Sequence, residues 1–163
     1  MTIEPLGKRH DRSGFSCGVA ALDNYLQKHA LQDARKHAAV PFVATPDGKT
    51  IAGYFTLSQY AIQLDAVPEE VARKIPRYPV VPATLLGRLA VSTAFRGQRV
   101  GEFLLMDALR RSLDASRQLG SCGVVVDAKD EDAAAFYRKY GFLDFPNTRR
   151  MFLSMGTIGK LFP

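Results

Sequence analysis

Leu85-Leu86-Gly87-Arg88-Leu89-Ala90-Val91, followed after four residues by Arg96-Gly97-Gln98-Arg99-Val100-Gly101, decides how this chain folds. The first stretch is nearly all apolar and predicts a buried strand over Thr84 to Val91. The second lies in a loop rich in arginine and glycine, Phe95 to Gly101. From Val100 onward, Leu104, Ala108, Leu109 and Leu113 recur at helical spacing and predict a long helix ending near Gly120. Strand, glycine loop and helix N-terminus in that order gather unpaired N–H groups and about half a positive charge at one point. Glycine lets the backbone come close to a phosphate there. No Gly-Lys-Ser/Thr follows, so this is not a P-loop, and Gly-x-Gly-x-x-Gly is missing, so it is not a dinucleotide fingerprint. On these residues alone, a glycine turn that caps a helix and a cradle for a pyrophosphate fit equally well.

Outward from this stretch the pattern alternates helix and strand. Ser16 is a plausible N-cap for a helix carrying Val19, Leu22, Tyr25, Leu26 and Ala30. Val40 to Thr45 predicts a strand, Asp47-Gly48 a hairpin turn, and Thr50 to Leu64 a long β-prone run. Pro68-Glu69-Glu70 opens a short helix through Ile75, and the proline-rich Arg77 to Pro82 predicts an extended loop. Val124-Val125-Val126 suits a central strand. Asp130 can cap a helix carrying Ala133, Ala134, Phe136, Tyr137 and Tyr140, which Gly141 can end in a left-handed C-cap. Phe142 to Leu153 predicts a return as further strand. The early hairpin needs antiparallel pairing and the later crossovers favour parallel pairing, so the expected class is α/β with mixed strand directions.

The length of 163 residues suits a single domain over 1–163. With 47% hydrophobic and 23% charged residues the composition is that of a globular protein, which argues against wholesale disorder. No apolar run approaches the ~18 residues of a membrane helix, and the N-terminus does not read as a signal peptide. Cys17 and Cys122, the only two cysteines, form no disulfide framework and fit a reducing cytoplasm as packed thiols. His10, His29 and His37 lack metal-ligand spacing, so no metal is expected. There is no Gly-x-Ser-x-Gly nucleophile elbow. The net charge of +6 favours anionic partners, phosphates on a cofactor or on nucleic acid.

Two blocks carry a resemblance. Arg96-Gly97-Gln98-Arg99-Val100-Gly101 resembles the acyl-CoA pyrophosphate loop of the GNAT superfamily of N-acetyltransferases, Q/R-x-x-G-x-G/A. Asp130, Ala133, Phe136, Tyr137, Gly141 and Phe142 fit that family's N-x-x-A-x-x-F-Y-x-x-x-G-F, in the family's order and at its usual separation. Arg99 stands where the first loop glycine is usual, and Asp130 where asparagine is usual. A narrower resemblance, to the GNAT toxins of bacterial toxin–antitoxin pairs, covers most of the chain. It rests on Phe15-Ser16-Cys17-Gly18, Leu22-Asp23, Tyr25-Leu26, Gly53-Tyr54-Phe55-Thr56-Leu57-Ser58, Leu86-Gly87-Arg88-Leu89-Ala90-Val91, Arg150-Met151-Phe152-Leu153 and Thr157-Ile158.

The resemblance implies a GNAT fold: a central mixed, mostly antiparallel sheet with a splayed parallel strand pair, flanked by about four helices. It implies acetyl-CoA as co-substrate, lying between the strands of Leu85–Val91 and Gly123–Asp127. Leu89, Ala90 and Val91 would meet the pantetheine arm, with the Leu89 N–H polarising the thioester carbonyl. Arg96, Gly97, Gln98, Arg99, Val100 and Gly101 would hold the pyrophosphate, and Asp130 and Phe136 would complete the cofactor site. Tyr137 would protonate the departing thiolate or hydrogen-bond to it, Tyr140 being the neighbouring competitor. The substrate implied is the free α-amino group of aminoacyl-tRNA, whose acetylation blocks translation. Its pKa of ~8 leaves much of it neutral without a dedicated base. Arg88, Arg96, Arg99, Arg110, Arg111, Arg149 and Arg150, with Arg35 and Lys36, are the candidates for tRNA contact; Arg88 stands out because it lies inside an otherwise apolar strand, where a structural ion pair is its alternative role. The same resemblance implies a homodimer in the cytoplasm, with a ribbon-helix-helix antitoxin as partner. Acetylation of a small amine or a protein N-terminus is one alternative, and a non-catalytic CoA- or RNA-binding module is another.

Overall fold

The computed structural model describes residues 1–163. In chain order the elements are β1 (Thr2–Pro5), α1 (Ala20–Lys28), α2 (Ala30–Arg35), β2 (Val40–Thr45), β3 (Gly53–Gln63), α3 (Glu69–Ala72), β4 (Val80–Val91), α4 (Val100–Ser116), β5 (Gly123–Asp127), α5 (Glu131–Lys139), β6 (Leu143–Asp144), β7 (Arg150–Ser154) and α6 (Met155–Leu161), with 3-10 turns at Leu64–Ala66 and Thr93–Phe95. The sheet order is β1-β2-β3-β4-β5-β7-β6. β1–β2, β2–β3, β5–β7 and β7–β6 are antiparallel, and β4–β5 is the one parallel pair. This is the mixed, mostly antiparallel α/β architecture that the sequence implied. No helix is long and apolar enough to cross a membrane.

The chain packs as two compact units, Met1–Ser58 with Leu86–Ala108, and Gln59–Leu85 with Leu109–Pro163. The first has a core of Phe15, Tyr25, Leu26, Val43, Ile51, Tyr54 and Ala90. The second has its own, built from Ile62, Val71, Ile75, Val81, Val125, Phe145 and Phe152. Antiparallel β2–β3 pairs Phe42 with Phe55, and their rings stack at 5.2 Å.

Several elements differ from expectation, each for a local reason. Ser16 does not cap the first helix; its carbonyl instead accepts from Thr93 N–H at 2.8 Å. The helix starts at Ala20 after Val19, and Asp23 Oδ1 reaches back to Cys17 N–H at 2.9 Å. The expected helix is split at His29, where φ is −122°, into α1 and α2. That split and the unforeseen α6 raise the helix count from the expected four to six, the short helix after Pro68 forming as α3. β1 was not anticipated either. The Asp47-Gly48 turn forms, with Gly48 at φ +82° and Asp47 Oδ1 accepting from Lys49 and Thr50 N–H, but β3 starts only at Gly53.

The expected loop at Arg77 to Pro82 gives way to strand at Val80. Val81 and Ala83 point into the core while Val80 and Pro82 face out, and the Pro82 carbonyl accepts from Cys122 N–H at 2.8 Å. A proline is tolerated there because only its acceptor is used. α4 stops at Ser116, short of Gly120. The run from Phe142 to Leu153 is two strands, because Pro146 and Asn147 (φ +61°) turn the chain between them.

Gly53 fixes the seat of α4. A Cβ there would lie 2.7 Å from Leu104 Cδ1, 2.8 Å from the Ala90 carbonyl oxygen and 3.3 Å from Val100 Cγ1. Backbone and two buried side chains leave it no room. Gly53→Ala is therefore expected to cost about 1–3 kcal/mol, the usual cost of overpacking, read as a melting temperature lowered by roughly 3–10 °C. Gly120→Ala, where nothing lies within 4 Å, is the control and should leave it nearly unchanged.

Candidate active site

The loop between β4 and α4 is pinned at its start and open at its end. Ser92 N–H donates to the Ala52 carbonyl at 2.8 Å, and Ser92 Oγ caps the 3-10 turn by accepting from Ala94 N–H. Arg96 Nη2 donates to the Cys17 carbonyl at 3.2 Å. Gly97 then turns at φ +79° and Arg99 at φ +60°. The Arg99 carbonyl accepts the first helical bond of α4, from Phe103 N–H at 3.1 Å. Val100 is 4% exposed and packs toward Gly53, so the first turn is held by its side chain. The amides of Gln98, Arg99, Val100 and Gly101 donate to no group in the protein. Four free donors at the N-terminus of a helix of 17 residues are the kind of group that could hold a diphosphate.

The left-handed backbone at Arg99 accounts for the glycine usual there. The turn needs positive φ, which glycine takes without strain and arginine takes at a cost. The Arg99 side chain is 84% exposed, with Nε 3.6 Å from Glu102 Oε2. An exposed pair of that length contributes little.

On β4, Ala90 is buried in the first core while Leu89 and Val91 are partly exposed on the opposite face. Arg88 shares a face with Ala90. Its guanidinium carbon lies 3.5 Å from the centre of the Tyr25 ring, so the residue is stacked on an aromatic ring rather than locked in an ion pair.

In the second unit, Asp130 Oδ1 accepts from Ala133 N–H at 2.8 Å and caps α5. The asparagine usual at this position has a replacement that does the same capping. Gly141, at φ +97°, ends the helix as expected. Tyr137 is buried at 7% exposure, its ring edge-on to Phe136 at 5.4 Å and tilted against Phe142 at 5.3 Å. Phe136 also lies edge-on to Tyr140. The Tyr137 hydroxyl makes no hydrogen bond within the protein. Burial pushes its phenol up to about 12. It therefore stays protonated at neutral pH and keeps a donor to offer.

The remaining basic candidates sort by partner. Arg35 and Lys36, at the end of α2, and Arg149 are exposed and pair with nothing. Arg150 has partners within the protein: Nε lies 3.1 Å from Asp127 Oδ1 and the guanidinium sits 5.1 Å from the Tyr60 ring. Arg110 sits over Phe162 at 5.4 Å. No group of three or more His, Cys, Asp or Glu side chains could hold a metal ion. Tyr25 reads from its spacing as a core position; nothing in the sequence marks it as the platform for Arg88.

A mixed sheet with one parallel pair, and helix-end amides open to a diphosphate, are the parts of an acetyl-CoA-dependent acyltransferase. Residues 38–143 match the acetyltransferase (GNAT) domain, and the chain belongs to that family. It is 32% identical to the probable toxin TacT of Sinorhizobium fredii, over 98% of this chain and 93% of that one. It is 34% identical to a tRNA-acetylating toxin of Mycobacterium tuberculosis, over 81% and 78% of the two chains. Among solved structures, a tyrosine-to-phenylalanine mutant of KacT superposes with a TM-score of 0.90 at 31% identity, covering 99% of this chain and 98% of that one. AtaT in complex with acetyl-methionyl-tRNA superposes at 0.87 with 30% identity and 99% coverage of both.

Two outcomes follow from the site geometry. Arg99→Gly should relieve the positive-φ strain and stabilise the fold by about 0.5–1 kcal/mol, raising the melting temperature by roughly 1–4 °C. Tyr25, raised by burial and by its hydrogen bond to Asp33, also sits at about 12. Against ~10 in the unfolded chain, the stability that these two phenols contribute is intact below pH ~10 and is lost as pH climbs through 12. Melting temperatures from pH 9 to 12 should stay level to about 10 and then fall, and the fall should be shallower in Tyr137→Phe.

Proposed function

We propose that this protein acetylates the free α-amino group of aminoacyl-tRNA with acetyl-CoA as donor, and so blocks translation as the toxin of a toxin–antitoxin pair. The observation that carries the donor half is the row of unused amides from Gln98 to Gly101. Backbone donors there suit a diphosphate whatever side chains surround them, and Arg96 and Gly97 shape the turn that presents them. The acceptor half is supported by the relatives, one named a tRNA-acetylating toxin and one solved with acetyl-methionyl-tRNA.

In the proposed transfer the amine nitrogen attacks the thioester carbonyl carbon. A C–N bond forms, the C–S bond breaks, the amine nitrogen releases its proton to solvent water, and CoA leaves as the thiolate, which must be stabilised. Leu89, Ala90 and Val91 would line the acyl arm, with the Leu89 N–H facing the carbonyl oxygen. Tyr137 would serve the thiolate. With its phenol at about 12 and a thiol near ~8.5, outright proton transfer is uphill. Tyr137 therefore acts as a hydrogen-bond donor to the sulfur. Asp130 supports this by capping the helix that carries Tyr137, and Phe136 by packing edge-on to its ring.

The same reading takes residues 1–163 as one acetyltransferase domain, acting in the cytoplasm as a homodimer and neutralised by a ribbon-helix-helix antitoxin. A further similar structure, AtaT bound to the C-terminus of its antitoxin AtaR, at 28% identity and a TM-score of 0.81, supports the partnership. Arg35, Lys36 and Arg149, exposed and unpaired, are among the cations open to tRNA phosphates.

The test is to incubate the protein with radiolabelled acetyl-CoA and total charged tRNA. Label should appear as N-acetyl-aminoacyl ester on tRNA. Label found only in protein or in small amines would overturn the reading. Tyr137→Phe, which removes one hydrogen-bond donor to the developing negative charge, should lower the rate roughly 10²-fold while acetyl-CoA binding, measured calorimetrically, is unchanged.

A further inference from the structure

Arg88 holds a charge that the fold leaves unpartnered. It is partly buried in β4, yet no carboxylate lies within ion-pair distance and its N–H groups donate to nothing in the protein. Other arginines have polar partners in the protein: Arg96 a carbonyl, Arg138 Glu131 and Asp144, Arg150 Asp127. None of its N–H groups is buried without a partner, so that edge stays open to solvent. The Tyr25 ring covers one face of the guanidinium, at 3.5 Å, and leaves the N–H edge free for a ligand.

The platform beneath Arg88 is rigid. The Tyr25 hydroxyl donates to Asp33 Oδ2 at 2.7 Å. The Tyr25 ring stacks on Tyr54 with centroids 6.4 Å apart and planes 15° apart, and the Tyr54 hydroxyl donates to the Leu22 carbonyl at 2.7 Å. Asp23 is already occupied by Cys17 N–H. A guanidinium stacked on a fixed ring has its plane set in advance, and its free edge is the fork that matches a phosphate.

We propose that Arg88 is a phosphate fork for the RNA substrate, with Tyr25 and Asp33 as positioning residues that set its plane. This rests on the reading of the protein as a tRNA acetyltransferase. The reaction has two sources of phosphate. The coenzyme's diphosphate already has the amides of Gln98 to Gly101, and Arg88 faces the side of β4 away from Leu89 and Val91. The RNA backbone is the phosphate without a receptor. The element that braces Tyr25 points the same way: α2 carries Asp33, and its end bears the unpaired Arg35 and Lys36.

The test measures binding of total deacylated tRNA and of acetyl-CoA separately, over a range of salt. Arg88→Met should weaken tRNA binding roughly tenfold and reduce the slope of log K against log salt by about one. Acetyl-CoA affinity and melting temperature should stay unchanged. Arg88→Lys should keep the slope but recover only part of the affinity, since it keeps the charge and loses the fork. Tyr25→Phe keeps the ring and frees it from Asp33; it should weaken tRNA binding about threefold at an unchanged slope. Unchanged tRNA affinity in Arg88→Met, or a loss of acetyl-CoA affinity in its place, would overturn the proposal. If the wild type acetylates no charged tRNA yet the slope change is found, the enzymatic reading fails and the fork stands. If acetylation proceeds and Arg88→Met binds tRNA as the wild type does, the fork fails alone.

Discussion

Leu104 and Val100 occupy the space that a side chain on Gly53 would take, with the Ala90 carbonyl closing the same spot. That close approach sets where α4 begins against β3 and β4. Because Val100 is held there, the turn before it cannot relax into a capped, self-satisfied end. Gly97 and Arg99 take positive φ to meet the helix at that point. The amides of Gln98 to Gly101 are left without partners as a result. The row of free amides is thus a consequence of packing more than of any charged side chain, and the turn forms with an arginine where a glycine is usual.

Two tyrosines show how one physical effect supports different roles. Tyr137 and Tyr25 are both raised to about 12, in each case first by burial. Tyr25 also donates a hydrogen bond to Asp33, which raises it further, and the Arg88 charge pulls the other way. Its hydroxyl is committed and its ring face carries a cation. Tyr137 has only apolar neighbours, Phe136 and Phe142, and its hydroxyl is uncommitted. A phenol that is hard to ionise and has no partner in the protein is a hydrogen-bond donor in reserve, which is what a leaving thiolate would need.

The excess of positive charge is informative only after its cations are sorted. Arg138 bridges two carboxylates on the surface, and Arg150 is tied to Asp127. Such pairs consume charge without marking a binding face. Arg35, Lys36 and Arg149 remain open, and Arg88 remains open at its edge alone. Net charge counts all of these alike, while only the contacts separate cations that hold the protein together from cations still able to meet a phosphate.

The elements around the candidate site were legible because their signals are local. Spacing of Leu104, Ala108, Leu109 and Leu113 marks α4, Asp130 marks the start of α5, and Gly141 marks its end; each depends on neighbours within a few residues. The motif around Tyr137 was legible for the same reason. What the sequence could not tell was decided by partners far along the chain. Ser16 serves Thr93 instead of capping a helix, Arg96 reaches Cys17, Val80 is strand because Cys122 donates to Pro82, and Arg150 is spent on Asp127. Arg88 on Tyr25 belongs with them. Sequence alone determined where the elements around the site begin and end, through periodicity and capping, and the family resemblance pointed to the residues for the chemistry; tertiary structure decided which groups are left without partners, because a charge or an amide is free only if nothing brought near by folding has already claimed it.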